Sequence, residues 1–163
     1  MIRDIRKARE VDLPSLARLN GFVHTLHVAW APETFEADPP PDALIDFLSE
    51  RLSNSNDYFA IARVDGEDVG YIWFERQERP GAVLTKPFLR LYVHHIAVDP
   101  SRRSHGVGTA LMAYLETEAV SAGISTLALS AWSVNEDAIG FFKAHGYAPM
   151  IQTFSKTIPS WTG

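Results

Sequence analysis

The stretch "DPSRRSHGVGTALMAYLE", residues 99–116, places Gly106 and Gly108 where a helix should take its first turn, close behind the apolar run "LYVHHIAV". Each glycine costs about 1 kcal/mol relative to alanine inside a helix, so packing alone would select against both. A strand, a short turn and a helix opening on glycines make an anion site. Free backbone N–H groups point outward, the helix dipole adds partial positive charge, and the missing side chains admit a phosphate. Arg102, Arg103 and His105 add side-chain donors. Neither well-known phosphate loop is present: there is no G-x-x-x-x-G-K-[ST], and Leu111 stands where the dinucleotide motif needs its third glycine. From the glycines alone, a plain strand-to-helix turn is the competing reading.

Histidine is the other residue type that could do chemistry here. Along "YVHHIAV", strand alternation puts His94 on one face with Ile96 and Val98, and His95 on the opposite face. An imidazole ordinarily titrates at about pH 6.5, which suits it to taking a proton from an ammonium directly or through water. His94 therefore reads either as a proton acceptor or as a packed strand histidine, and His95 as structural. His24 and His27 stand three residues apart on a helical stretch. Without a third convergent ligand that spacing makes no metal site, and no metal is expected.

These residues need elements to hold them. "IRDIRKA" alternates as a first strand from Ile2 to Ala8; Asp12 caps a helix with Pro14 in its first turn and Leu13, Leu16, Ala17, Leu19 and Phe22 at helical spacing. "EADPPPD" (36–42) is a stiff loop, because its prolines fix φ and remove donors. A second helix starts at Asp42 with Leu44, Phe47, Leu48 and Leu52 on one face. "DYFAIARV" and "VGYIWFER" flank Asp65-Gly66-Glu67-Asp68 as a hairpin, Arg79-Pro80-Gly81 marks a turn, and "FLRLYVHHIAV" is the next strand. The helix from Gly106 carries Val107, Leu111, Tyr114, Leu115 and Ala122 on one side and ends at Gly123. "ISTLALSAW" reads as a buried strand. Ser133 and Glu136 have capping-box spacing for a last helix, about Val134 to His145, stopped by Gly146, and "YAPMIQTFSKTI" supplies one or two closing strands. The predicted order is β-α-α-β-β-β-α-β-α-β, without repeats or linkers, as one α/β domain over residues 1–163.

The composition narrows the function further. Hydrophobic residues make up 46% and charged ones 21%, as in an ordinary globular protein. A formal net charge of -5 offers nothing to a nucleic-acid backbone or an acidic membrane surface. The absence of cysteine excludes disulfides, thiolate metal sites and a cysteine nucleophile. No run could span a bilayer, and "MIRDIRKARE" lacks the apolar core of a signal peptide, so the sequence reads as cytoplasmic.

"VHHIAVDPSRRSHGVGTALM" resembles the acyl-CoA binding motif of the GNAT N-acetyltransferase superfamily, an apolar strand and a turn followed by [RQ]-x-x-G-x-[GA] opening a helix. The match is Arg103-Ser-His-Gly106-Val-Gly108. A second family block, an asparagine followed by an alanine, paired aromatics and a Gly-aromatic, follows as "NEDAIGFFKAHGY" (135–147). The resemblance implies a mixed, mostly antiparallel sheet with splayed strands and four flanking helices, and acetyl-CoA as co-substrate. It implies that Ile96, Ala97 and Val98 line the pantetheine arm, with backbone pairing at Ile96 and Val98. Amides from Arg103, Ser104, His105, Gly106, Val107, Gly108 and Thr109 would hold the diphosphate, and Asn135 would line the other wall. The family usually has glycine where Ser104 stands, and a positive φ there would carry a cost. It usually has a tyrosine where Phe142 stands, so no acid role passes to Phe142, which instead packs against pantetheine.

His94 resembles the histidine or glutamate that several members use as base. The first two helices and their loop cover the acceptor in this family, which makes His27, Trp30 and Phe35 candidate acceptor contacts, with Glu75 and Tyr92 reaching from the strands. The implied activity is direct transfer of an acetyl group to a primary amine of a small molecule, peptide or protein in a ternary complex. A CoA-binding sensor without turnover is the alternative, and transfer of a larger acyl group such as succinyl is a third. A homodimer is compatible with the sequence.

Overall fold

The Asp65-Gly66 pair closes a two-residue hairpin, with φ of 51° at Asp65 and 86° at Gly66. Left-handed backbone at both central positions matches the twist of the flanking strands, which is why Asp-Gly is favoured there. In the computed structural model, which describes residues 4–159, the chain runs β1 (Asp4–Lys7), α1 (Leu13–Trp30), α2 (Pro41–Ser53), β2 (Asp57–Val64), β3 (Glu67–Arg79), β4 (Phe88–Val98), α3 (Val107–Ser121), β5 (Leu127–Leu129) and α4 (Glu136–Ala144). Short 3-10 turns lie at Glu10–Asp12 and Pro100–Arg102. One mixed sheet has the strand order β1-β2-β3-β4-β5, antiparallel except for the parallel pair β4–β5. Two compact units divide after Ser130, with the sheet and α1–α3 in the first and α4 in the second.

Several expected boundaries move, each for a local reason. The first strand is Asp4–Lys7, and Ile2 lies outside the described residues. Asp12 stands at the N-cap of α1 without capping it, because its carboxylate is taken by Arg6 in two 2.7 Å hydrogen bonds and by the Arg9 N–H at 2.8 Å. α2 begins inside the proline run, at Pro41, since the first helical position needs no N–H donor. α4 is capped by Asn135, whose Oδ1 accepts the Ala138 N–H at 3.2 Å, and not by Ser133. β5 keeps only three residues of "ISTLALSAW". No strand forms over residues 147–159, where closing strands were expected. Met150, Ile151, Phe154 and Ile158 are exposed there, and among the described residues no backbone ladder fixes the segment.

The core lies on both faces of β3. On one, Leu16, Leu19 and Leu48 of α1 and α2 meet Phe59, Ile61, Tyr71, Trp73 and Ala97. On the other, Val107, Leu111, Met112, Leu115 and Ala119 of α3 are buried. Full burial of one such leucine is worth about 1.5–3 kcal/mol. Gly70 makes the second packing possible: a Cβ there would stand 3.0 Å from the Ala97 carbonyl oxygen and 3.0 Å from Val107 Cγ1. The first turn of α3 is thus seated on the sheet by a missing side chain. Among the described residues no helix is long and apolar enough to cross a membrane.

Candidate functional site

β4 carries one residue more than its partner. Trp73 pairs with His95 and Phe74 with Val93, so His94 stands in a bulge. A bulge interrupts the alternation of faces. His94 stacks on the Trp73 indole at 4.4 Å and 25°, and His95 meets the same indole edge-on at 5.1 Å and 87°. Both imidazoles therefore share the face of Tyr71 and Trp73, against α1 and α2. The expected separation, with His94 beside Ile96 and Val98 and His95 opposite, is overturned by that extra residue.

The two histidines have different partners. His94 Nε2 lies 2.8 Å from Glu75 Oε2, which also accepts from Gln77 Nε2 at 2.9 Å. Burial alone would push the Glu75 carboxyl up, but the hydrogen bonds from Gln77 and His94 outweigh it and hold Glu75 below the usual carboxylate value. Tyr92 packs against His94 at 5.1 Å, and its hydroxyl lies 2.7 Å from Ser130 Oγ. His95 Nδ1 faces the Tyr71 hydroxyl and Asn20 Nδ2, each at 3.1 Å. Burial, with His27, His94 and His24 nearby, pushes His95 down to about 4.

The helix and loop expected over the acceptor reach the same face. His27 of α1 stacks on Phe35 at 4.9 Å, lies 6.1 Å from Trp30, and meets His95 edge-on at 6.2 Å. His24 Nε2 lies 2.7 Å from the Glu36 carbonyl, which ties the loop to α1. Burial first, then His24, lowers the His27 pKa. The rings of Phe35, His27, His95, Trp73, His94 and Tyr92 form one continuous row. Among the described residues no three histidine, cysteine or carboxylate groups are placed to hold a metal ion.

The glycine turn follows β4. Asp99 Oδ1 accepts from the Ser101 N–H at 2.9 Å and its hydroxyl at 2.7 Å, closing the 3-10 turn. Arg102 is drawn to Glu67 at 3.2 Å, whereas Arg103 is exposed. Ser104 has φ 63° and Gly106 φ 78°, so the serine does sit in left-handed backbone. His105 Nδ1 donates to the Arg103 carbonyl at 2.7 Å. From Ser104 to Thr109, no backbone N–H donates to another described residue. Beside this turn β5 pairs with β4 only from Leu91 to Val93, which leaves that edge of Ile96, Ala97 and Val98 without a strand partner among the described residues. The arrangement offers a row of unclaimed donors at a helix start and an open strand edge leading to it.

In the second unit, Asn135 caps α4 through its side chain. Phe142 is buried there, with Phe141 at 5.5 Å and Tyr147 at 6.0 Å.

Four residues of the sheet face escape a reading of the sequence: Asn20, Tyr71, Trp73 and Ser130. Asn20 had a signal, since it falls on the apolar stripe of α1 four residues after Leu16, and a buried amide demands a partner. Nothing local marks the other three.

A family model described as acetyltransferase (GNAT) family matches residues 22–147. Among solved structures, a tetramutant protein from Bacillus halodurans shares the fold with TM-score 0.88 at 20% identity, over 96% of this chain and 100% of that one. AAC(6')-Iy in complex with the bisubstrate analog CoA-S-monomethyl-acetylneamine matches with TM-score 0.73 at 19% identity, over 96% and 98% of the two chains. A ribosomal-protein-alanine N-acetyltransferase from Brucella melitensis biovar Abortus 2308 matches with TM-score 0.69 at 23% identity, over 95% and 98%.

Proposed function

The chain belongs to the GNAT acetyltransferase family, and on that footing we propose that it transfers an acetyl group from acetyl-CoA to a primary amine held on the aromatic face of β3 and β4. The observation that carries this reading is the run of unclaimed backbone N–H groups from Ser104 to Thr109 beside the open edge of Ile96–Val98. Those donors fit a diphosphate, and the strand edge fits an amide-bearing arm that pairs with Ile96 and Val98. Arg103, exposed beside the turn, adds positive charge.

Acetyl-CoA supplies the activated acyl carbon: the amine nitrogen bonds to it as the C–S bond breaks and a thiolate leaves. The residues of this chain supply position and proton transfer. Glu75 accepts from His94 Nε2, which orients the ring and leaves Nδ1 as the nitrogen that takes the amine's proton. Trp73 under the ring fixes its plane. His27, Trp30 and Phe35, with Tyr92 across the face, enclose the acceptor and limit water. Holding amine and thioester together can account for about 7–11 kcal/mol of the barrier. Phe142 has no acidic hydrogen, so the sulfur's proton comes from water or from the amine. A thiol of pKa about 8.5 makes this a tolerable leaving group.

The acceptor is a small-molecule amine or a peptide or protein amine. The names of the fold neighbours, a CoA–acetylneamine analog complex and a ribosomal-protein-alanine acetyltransferase, support both classes. The reading is tested by thermal unfolding with acetyl-CoA, which should raise Tm by mass action, and by CoA release with a panel of amines. Absence of any shift at millimolar acetyl-CoA would reject it. A shift without CoA release from any amine would favour a binding module.

A further inference from the structure

Adjacent histidines on one face invite the same role, but their hydrogen bonds forbid it. Asn20 Nδ2 carries only N–H groups, and it donates to the Tyr71 hydroxyl at 3.0 Å. Tyr71 is fully buried, and burial pushes its pKa up, so the hydroxyl stays protonated and must donate. Its remaining neighbour is His95 Nδ1 at 3.1 Å. Nδ1 is therefore an acceptor, and the ring's proton sits on Nε2. Unlike His94, which gives its Nε2 proton to a carboxylate and keeps a lone pair on Nδ1, His95 has no lone pair left for an ammonium proton.

His95 Nε2 finds no hydrogen-bond partner among the described residues, and it is not among the buried polar atoms that lack one. Its ring borders His27 and Trp73, in the middle of the row of rings. A donor within this row of rings, without an acceptor among the described residues, is suited to an oxygen on the ligand.

We propose that His95 is a specificity-determining residue, a tautomer-locked imidazole whose Nε2–H donates to an oxygen of the acceptor, so that the favoured substrates are amines carrying a hydroxyl or carbonyl oxygen near the reacting nitrogen. This rests on the reading that the amine binds on this face. Burial first keeps His95 neutral; His27 and His24 on α1 and His94 on its own strand add repulsion against a second proton, and Asn20, Tyr71 and Trp73 carry no negative charge.

Nitrogen-15 NMR of histidine-labelled protein tests the tautomer without any substrate. His95 should show a protonated Nε2 and a bare Nδ1, unchanged between about pH 5.5 and 8, because its own titration lies well below that window. A protonated Nδ1, or titration within the window, would overturn the proposal. Kinetics test the specificity with acetyl-CoA and three matched amines: 2-phenylethylamine, 2-amino-1-phenylethanol and phenylalaninamide. One neutral hydrogen bond should favour at least one of the oxygen-bearing amines about 5–10-fold in kcat/KM expressed per neutral amine, mostly through KM. His95→Leu should bring that ratio to about one, while His95→Gln, which keeps an N–H near the Nε2 position, should retain most of it. Equal losses for all three amines would mean that His95 is only a packing residue. Turnover with no preference for oxygen would sink this inference alone. No turnover with any amine would remove the acetyltransferase reading as well.

Discussion

Gly70→Ala sets two opposite effects against each other, and the structure decides between them. Alanine in place of a strand glycine gains about 0.5–1 kcal/mol from the unfolded chain. The added methyl would meet the Ala97 carbonyl oxygen and Val107 Cγ1, both at 3.0 Å, and Leu111 Cδ1 at 3.4 Å. A backbone oxygen of β4 cannot swing aside as a side chain can, so the relief must come from lifting the first turn of α3. Overpacking of that kind costs about 1–3 kcal/mol, which leaves a net loss of up to about 2.5 kcal/mol. For a chain of this length Tm should fall by up to about 10 °C. The lifted turn carries the N–H groups proposed to hold the diphosphate, and losing one hydrogen bond to a charged group costs about 1.5–3 kcal/mol, so acetyl-CoA should bind roughly ten- to a hundredfold more weakly. Thermal unfolding of the free protein and calorimetric titration measure the two losses separately. Gly21, exposed on α1 with nothing within 4 Å of its missing Cβ, is the control: Gly21→Ala should raise stability by about 0.5–1 kcal/mol. If Gly70→Ala were stabilising like Gly21→Ala, the seating of α3 through that missing side chain would be wrong.

Ser104→Gly removes a side chain from φ 63°. The relief of about 1–2 kcal/mol exceeds the glycine entropy cost of about 0.5–1 kcal/mol, so Tm should rise by a few degrees at most in a thermal scan. Asp12→Asn should cost about 2 kcal/mol at pH 7, because the Arg6 guanidinium and the Arg9 N–H hold the Asp12 carboxyl at about 2 in place of its ordinary 3.8. A depressed acid stabilises fully above its unfolded value and loses that contribution as pH falls through the folded one. Urea unfolding should therefore show the gap between wild type and variant closing from about pH 4 towards pH 2. Glu75→Gln exchanges a charged partner of His94 for a neutral one, a loss of about 1–1.5 kcal/mol. Steady-state assays should record kcat/KM about tenfold lower, with acetyl-CoA affinity unchanged by calorimetry.

Elements whose cause lies within a few residues are legible in the amino-acid sequence itself. The Asp65-Gly66 hairpin, the proline-assisted start of α1, the limits of β4 and the glycine stops at Gly123 and Gly146 follow from backbone preferences that need no distant partner. The glycine turn belongs to this class, because its donors are main-chain groups placed by a strand end and a helix start. The aromatic face of β3 and β4 does not. One extra residue opposite Trp73 moves His94 onto the side of His95, and no alternation counted along "YVHHIAV" contains that information, since a bulge exists only in the register between two strands. The partners of those histidines lie 19, 24 and 75 residues away, at Glu75, Tyr71 and Asn20. Asp12 offered a cap by its position, yet Arg6 on β1 takes its carboxylate first, because a paired guanidinium binds more strongly than one helix N–H. Residue types and local spacing determined which groups could hold a phosphate or move a proton. Which histidine meets a carboxylate and which a buried hydroxyl was decided by contacts between segments that only the folded sheet brings together.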